Sequence, residues 1–171
     1  SGEGIWRNGL ARTPAHNTVI VDDKDQMTMV SRFTWTDWAH GKVLHRGEKI
    51  WQGEQDGYQG VNHKRSVMML ENDRWLIVDL LHSEQPHHYA LHWLLTDVPF
   101  NENKNSILLW PESSRYYIQM GLTHGDAAFS TVRADPNSTR GWRSRYYGHK
   151  EPAISAMLAT DQSEVCFWTF F

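Results

Sequence analysis

A histidine and an asparagine, His16-Asn17, stand directly before a β-branched run, Thr18-Val19-Ile20-Val21-Asp22. An imidazole can ligate a metal or move a proton, and an asparagine amide can hold a carboxylate or cap a strand. A lone histidine at a strand end is also a common hydrogen-bonded structural group, so the pair by itself leaves both roles open. Upstream, Trp6, Arg7 and Arg12 lie in a stretch punctuated by Gly4, Gly9 and Pro14, without apolar alternation of period 2 or 3.6. This predicts a loop over residues 1–15 that carries an aromatic face and two cations toward His16. Pro14 biases Thr13 to extended geometry, and the stiff Val19-Ile20-Val21 run sets where His16 and Asn17 point.

The elements that position these groups read as short extended runs separated by turn residues, with no competing helix-period segment. Strands are predicted over 17–22, 27–35, 41–51, 61–70, 74–83, 87–96, 106–110, 115–122, 127–134, 142–147, 153–160 and 164–171. Glu71-Asn72-Asp73-Arg74 between two apolar runs predicts a tight hairpin. Ser83-Glu84-Gln85-Pro86 predicts the next reversal, which would make a three-strand meander over 61–96. Trp75 to Leu81 and Leu91 to Leu95 are apolar on both faces, which implies a central strand covered on both sides. The expectation is an all-β, antiparallel fold of stacked sheets, a β-sandwich in a single domain over 1–171.

Composition narrows the function classes. The chain has 171 residues and a net charge of −3, enough length for one core and no global attraction to nucleic acid. No apolar run approaches the ~20 residues that span a bilayer, and the start lacks the layout of a signal peptide. The first residue is Ser1 rather than Met, which fits a mature product or a piece of something longer. The single Cys166 sits in an apolar run and reads as a buried thiol. Nine tryptophans and ten histidines are the oddities. Most of the tryptophans fall in strands and read as core, whereas Trp6, Trp38 and Trp142 lie in or beside loops and offer stacking faces to a flat ligand such as a sugar ring. His88 and His92 have the spacing of a helical zinc pair, but in a strand four residues span roughly 13 Å, too far to share an ion. There is no Gly-x-Ser-x-Gly elbow and no dinucleotide glycine loop.

Taken together, Trp6-Arg7-Asn8, the run Arg12 to Asp22, and Asp25-Gln26 resemble the segment of heparinase II/III-like polysaccharide lyases that opens the last part of their C-terminal β domain. Three scaffold stretches are similar too: Gly57-Tyr58 with Val61 to Ser66, Trp75 to Asp79, and Gly141 to Ser144 with Tyr147 to Ala153. The resemblance implies a partner domain, an N-terminal helical (α/α) toroid, and a cleft between the two that takes an acidic polysaccharide. It implies β-elimination: a base removes the C5 proton of a uronate whose carboxylate is neutralised, and the 4-linked oxygen leaves. The Asn, Tyr and His that do most of this chemistry lie on the toroid or in an upstream His-x-His-x-Asp stretch, so catalytic residues are expected outside these 171 residues and the isolated chain is expected to be silent. Where such lyases hold zinc, the His of the His-Asn-Thr strand is one ligand, which carries over to His16 alone. Trp6, Arg7, Arg12 and Asn17 are the residues expected to face an anionic glycan, in a periplasmic or secreted protein. A non-catalytic carbohydrate-binding or structural β-sandwich module is the alternative.

Overall fold

The computed structural model describes residues 3–6, 9–31, 33–146 and 148–171. Short helical turns at Glu3–Trp6, Gly9–Ala11 and Thr13–Ala15 precede the strands. These are β1 (Val19–Val21), β2 (Thr28–Ser31), β3 (Thr34–Thr36), β4 (Gly41–Arg46), β5 (Ile50–Tyr58), β6 (Val61–Met69), β7 (Trp75–Leu95), β8 (Phe100–Asn103), β9 (Ser106–Leu109), β10 (Tyr116–Leu122), β11 (Ala128–Arg133), β12 (Trp142–Arg143), β13 (Glu151–Pro152) and β14 (Ile154–Phe170). All pairings are antiparallel. Ten of these strands form one sheet, ordered β4-β5-β6-β7-β14-β10-β9-β8, with β1 added on β7 and β11 on β14.

The long pair β7 and β14 is the spine, in register from Leu76↔Phe170 to Leu95↔Ile154 with a bulge between Gln162 and Glu164. This ribbon folds over on itself. Trp93 donates from Nε1 to Thr169 Oγ1 at 2.9 Å, although the register partner of Thr169 on β7 is Ile77. In a straight strand those sixteen residues would span roughly 53 Å. The bend therefore turns one sheet into two facing layers. The core between them takes Leu81, Val165 and Phe167 from one half and Tyr89, Leu91, Trp93, Ile154 and Leu158 from the other, with Val19, Val21, Ile107, Ile118 and Met120.

Several boundaries differ from the sequence expectation. The predicted reversal at 83–86 is absent, because β7 runs through it. Pro86 has no N–H to offer and sits where the bulge has already interrupted the ladder, a place a strand tolerates proline. Ser83 supports the bend, its hydroxyl lying 3.0 Å from Tyr89 Oη and 3.2 Å from the Ser163 carbonyl. The predicted strands 153–160 and 164–171 are one strand interrupted only by that bulge. The run 27–35 is a hairpin, β2 with β3, and 41–51 is broken at Gly47. The second half of β5, Gln52 to Gly57, is polar and glycine-containing; pairing with β4 and β6 on its two edges holds it extended. Of the predicted strand 142–147, Trp142–Arg143 form β12 and 144–146 are not strand, and Tyr147 lies outside the described residues. Of the expected Leu91 to Leu95 stretch, Leu91 to Trp93 are buried on both faces and Leu94 and Leu95 are half-buried, whereas in the Trp75 to Leu81 stretch Trp75 and Leu80 are 40% and 38% exposed, so that end of β7 is covered on one face only.

The hairpin between β6 and β7 forms as predicted. Asn72 and Asp73 both take positive φ, 59° and 55°, which short polar side chains tolerate, and Leu70 donates to the Arg74 carbonyl at 2.8 Å.

Candidate functional site

His16-Asn17-Thr18 continues β1 along the edge of β7, and every carbonyl of the three is held. The His92 amide donates to the Thr18 carbonyl at 3.0 Å. The Leu94 amide donates to Asn17 Oδ1 at 2.7 Å, so the asparagine side chain replaces the next rung of the ladder. Two side chains take the remaining carbonyls: His92 Nδ1 lies 2.8 Å from the His16 oxygen, and Arg65 Nη1 donates to the Asn17 oxygen at 2.6 Å. The His16 and Asn17 side chains stay exposed on this immobilised backbone.

Behind Arg65 lies a buried ionic group. Asp79, with no exposed surface, accepts from Arg65 Nε at 2.7 Å and Nη2 at 3.0 Å and from His63 Nε2 at 2.6 Å. Burial pushes the Asp79 carboxyl pKa up, but the His63 bond and the Arg65 charge outweigh it and hold it below 3.8. Gln55 fixes the histidine tautomer. Its Oε1 accepts from the Gly57 amide at 2.6 Å, which turns its Nε2 donor toward His63 Nδ1 at 3.1 Å. Nδ1 therefore accepts and Nε2 carries the proton given to Asp79. The Arg65 guanidinium also lies 5.2 Å from the centroid of the Trp93 ring.

A second chain stands behind His92. Arg140 Nε donates to Ser155 Oγ at 3.1 Å, and Ser155 Oγ lies 2.9 Å from His92 Nε2. A carbonyl can only accept, so Nδ1 of His92 is the protonated nitrogen and Nε2 accepts from the serine hydroxyl. Burial pushes the His92 pKa down to about 4, the bond to the His16 carbonyl offsetting only part of that.

Two depressions flank the segment, parted by Gln26 Nε2 donating to Thr18 Oγ1 at 3.3 Å. One, of about 350 Å³, is lined by Thr13, His16, Thr18, Gln26, Met27 and Trp35. The other, of about 390 Å³, opens over the inner face of β4 to β6 and includes Trp51, His63 and Arg65.

Of the residues expected at a site, His16 and Asn17 stand side by side before β1, both exposed, and the Arg12 side chain turns to an acidic partner. Arg12 pairs with Asp25 at 3.2 Å, and Asp25 also accepts from the Thr13 amide. Trp6 is elsewhere: its ring meets Trp142 edge-on at 5.5 Å, and the Lys150 ammonium lies 3.2 Å from the Trp6 centroid and 4.1 Å from that of Trp142. That cation covers one face of the Trp6 ring. Arg7 lies outside the described residues. Among the described residues no three His, Cys, Asp or Glu side chains converge as a metal site. His88 and His92 lie on a strand with different partners, Asp161 for His88 and the His16 carbonyl for His92.

Sequence reasoning missed the groups that hold the segment: Arg65, Asp79, His63, His92, Ser155 and Arg140. One signal was present. His63 and Arg65 are two apart on β6, and Asp79 interrupts an apolar run, a pattern that calls for a buried partner set.

The same architecture recurs in solved lyase structures. A structure of Heparinase III with methylated lysines superposes with a TM-score of 0.76 at 19% identity, over 99% of this chain and 25% of that one. Another Heparinase III structure gives 0.77 at 15% identity, covering 99% and 25%. A mutant of the heparan sulfate lyase HepC from Pedobacter heparinus gives 0.73 at 17% identity, covering 99% and 26%. The chain thus spans about a quarter of the length of these structures, and at such identities the likeness establishes the fold. A search of curated proteins finds no match. Residues 1–166 nevertheless match the family model described as Heparinase II/III-like, C-terminal, and the chain belongs to that family.

Proposed function

We propose that this chain is the C-terminal β domain of a polysaccharide lyase that cleaves uronate-containing acidic polysaccharide by β-elimination, in the periplasm or outside the cell. The observation that carries the reading is the family match over 1–166 together with an exposed His16-Asn17 pair whose backbone carbonyls are both hydrogen-bonded. In the reaction the C5–H and C4–O bonds of the substrate break, a C4=C5 double bond forms, and no water is consumed. The groups that move the C5 proton come from outside this chain, from an N-terminal toroid and an upstream histidine stretch. This chain supplies one wall of the cleft. His16 is its single ligand to a zinc ion whose other ligands lie elsewhere in the polypeptide. Arg12, Arg7 and the Asn17 amide present donors to the anionic glycan, and the isolated chain is inactive.

The test is the rise in unsaturated-uronate absorbance when the intact parent polypeptide meets a panel of uronate polysaccharides, with zinc content measured in parallel. Activity on one polymer, lost together with zinc in His16→Ala, is the expected result. Silence of folded parent protein across the panel would replace the lyase reading with a binding or structural one.

A further inference from the structure

The carbonyls of His16 and Asn17 are consecutive, and each accepts from a side chain of a different strand: His92 on β7 and Arg65 on β6. Neither donor is free to do anything else. Arg65 is clamped by both oxygens of Asp79, which is itself held by His63. His92 is locked in one tautomer by Ser155, whose other partner is Arg140. Buried ionic groups of this kind add little stability over well-packed apolar residues of the same volume. Beyond the carboxylate, the one hydrogen bond the Arg65 guanidinium makes among the described residues is to the carbonyl beside His16.

We propose that Arg65 and His92 are positioning residues that aim the His16 side chain, acting through the Asn17 and His16 carbonyls. Fixing two successive carbonyls fixes the peptide between them, and the His16 amide on the other side of its Cα donates to the Thr13 carbonyl at 3.0 Å, so that together these bonds set the Cα–Cβ direction of His16. A site group must be held to about 0.5 Å, and a misplacement of about 1 Å can cost roughly 10²-fold in rate. The consequence for catalysis rests on the lyase reading above; the consequence for backbone order does not.

The test uses the full parent polypeptide and two variants of one buried residue. In His92→Asn the side-chain amide nitrogen falls near the Nδ1 position and still donates to the His16 carbonyl. In His92→Gln the nitrogen falls near Nε2 and that bond is lost. Hydrogen–deuterium exchange over residues 15–19 is read against exchange in the core strands, alongside kcat and KM. The expected result is faster exchange confined to 15–19 and a kcat lower by roughly ten-fold or more in the Gln variant, with KM little changed. The Asn variant stays near wild type on both. Equal behaviour of the two variants, or exchange in 15–19 unchanged in both, overturns the proposal. If neither His92 variant folds, Arg65→Lys decides: a lysine ammonium lacks the guanidinium fork whose Nε and Nη2 hold Asp79 while Nη1 reaches the Asn17 carbonyl, so faster exchange at 15–19 is expected and wild-type exchange refutes it. If wild-type protein is inactive on every polymer, the lyase reading fails and exchange alone decides this inference.

Discussion

Asp79 carries the heaviest electrostatic demand of any single residue, a carboxylate without exposed surface surrounded by Arg65 and His63. Removing it leaves a guanidinium unpaired inside the fold, so Asp79→Ala lowers stability by about 3 kcal/mol or more at neutral pH, measured by urea denaturation. Its pH dependence has a definite sign. The folded pKa lies below the ordinary 3.8, so the folded state binds fewer protons there than the unfolded chain. The stabilisation is present above 3.8 and is lost as pH falls through the lowered value. The stability gap between wild type and Asp79→Ala therefore narrows on strong acidification. A gap that stays constant from neutral pH down to strong acid would contradict the charge-paired assignment.

At the scale of elements, the loop between β11 and β12 matters because it delivers Arg140 to Ser155. It closes through Gly141, which sits at φ 72° while its amide neighbours turn back on the end of β11. A Cβ there would meet the Ala134 nitrogen at 2.5 Å and the Val132 carbonyl oxygen at 2.6 Å, both backbone atoms that cannot step aside. Gly141→Ala is thus expected to cost about 2 kcal/mol or more, seen as a melting temperature lower by roughly 4–8 °C. The Asn72-Asp73 turn makes the opposite use of positive φ, since polar side chains supply it without glycine.

For the whole molecule, the decisive contact is the one that closes the bent ribbon. Trp93 bonds Thr169, lies edge-on to Phe171 at 5.0 Å, and carries Arg65 against its ring. Core packing and the polar groups behind His16 therefore meet at one indole. Trp93→Phe keeps an aromatic ring but strands the buried Thr169 hydroxyl. A loss of about 1–3 kcal/mol in urea denaturation is expected; a loss below about 0.5 kcal/mol would mean that this bond does not hold the two layers together.

Local pattern was enough to read the all-β class, the Asn72-Asp73 hairpin, the β-branched strand after Asn17 and the His16-Asn17 pair itself. Alternation, turn residues and chain stiffness act over a few neighbours, and those are visible in one dimension. Reading β7 and β14 as single strands was beyond that range: a proline or a polar triplet looks like a turn until a bulge and a serine on the facing strand carry the bend. The support of the site was equally hidden. His92 and His16 are 76 positions apart, Arg65 and Asn17 are 48 apart, and only the fold of the ribbon brings them within hydrogen-bonding distance. The residue types able to do chemistry were therefore legible from the chain, whereas their partners were set by tertiary structure, because a hydrogen bond depends on distance in space and the sequence records only order.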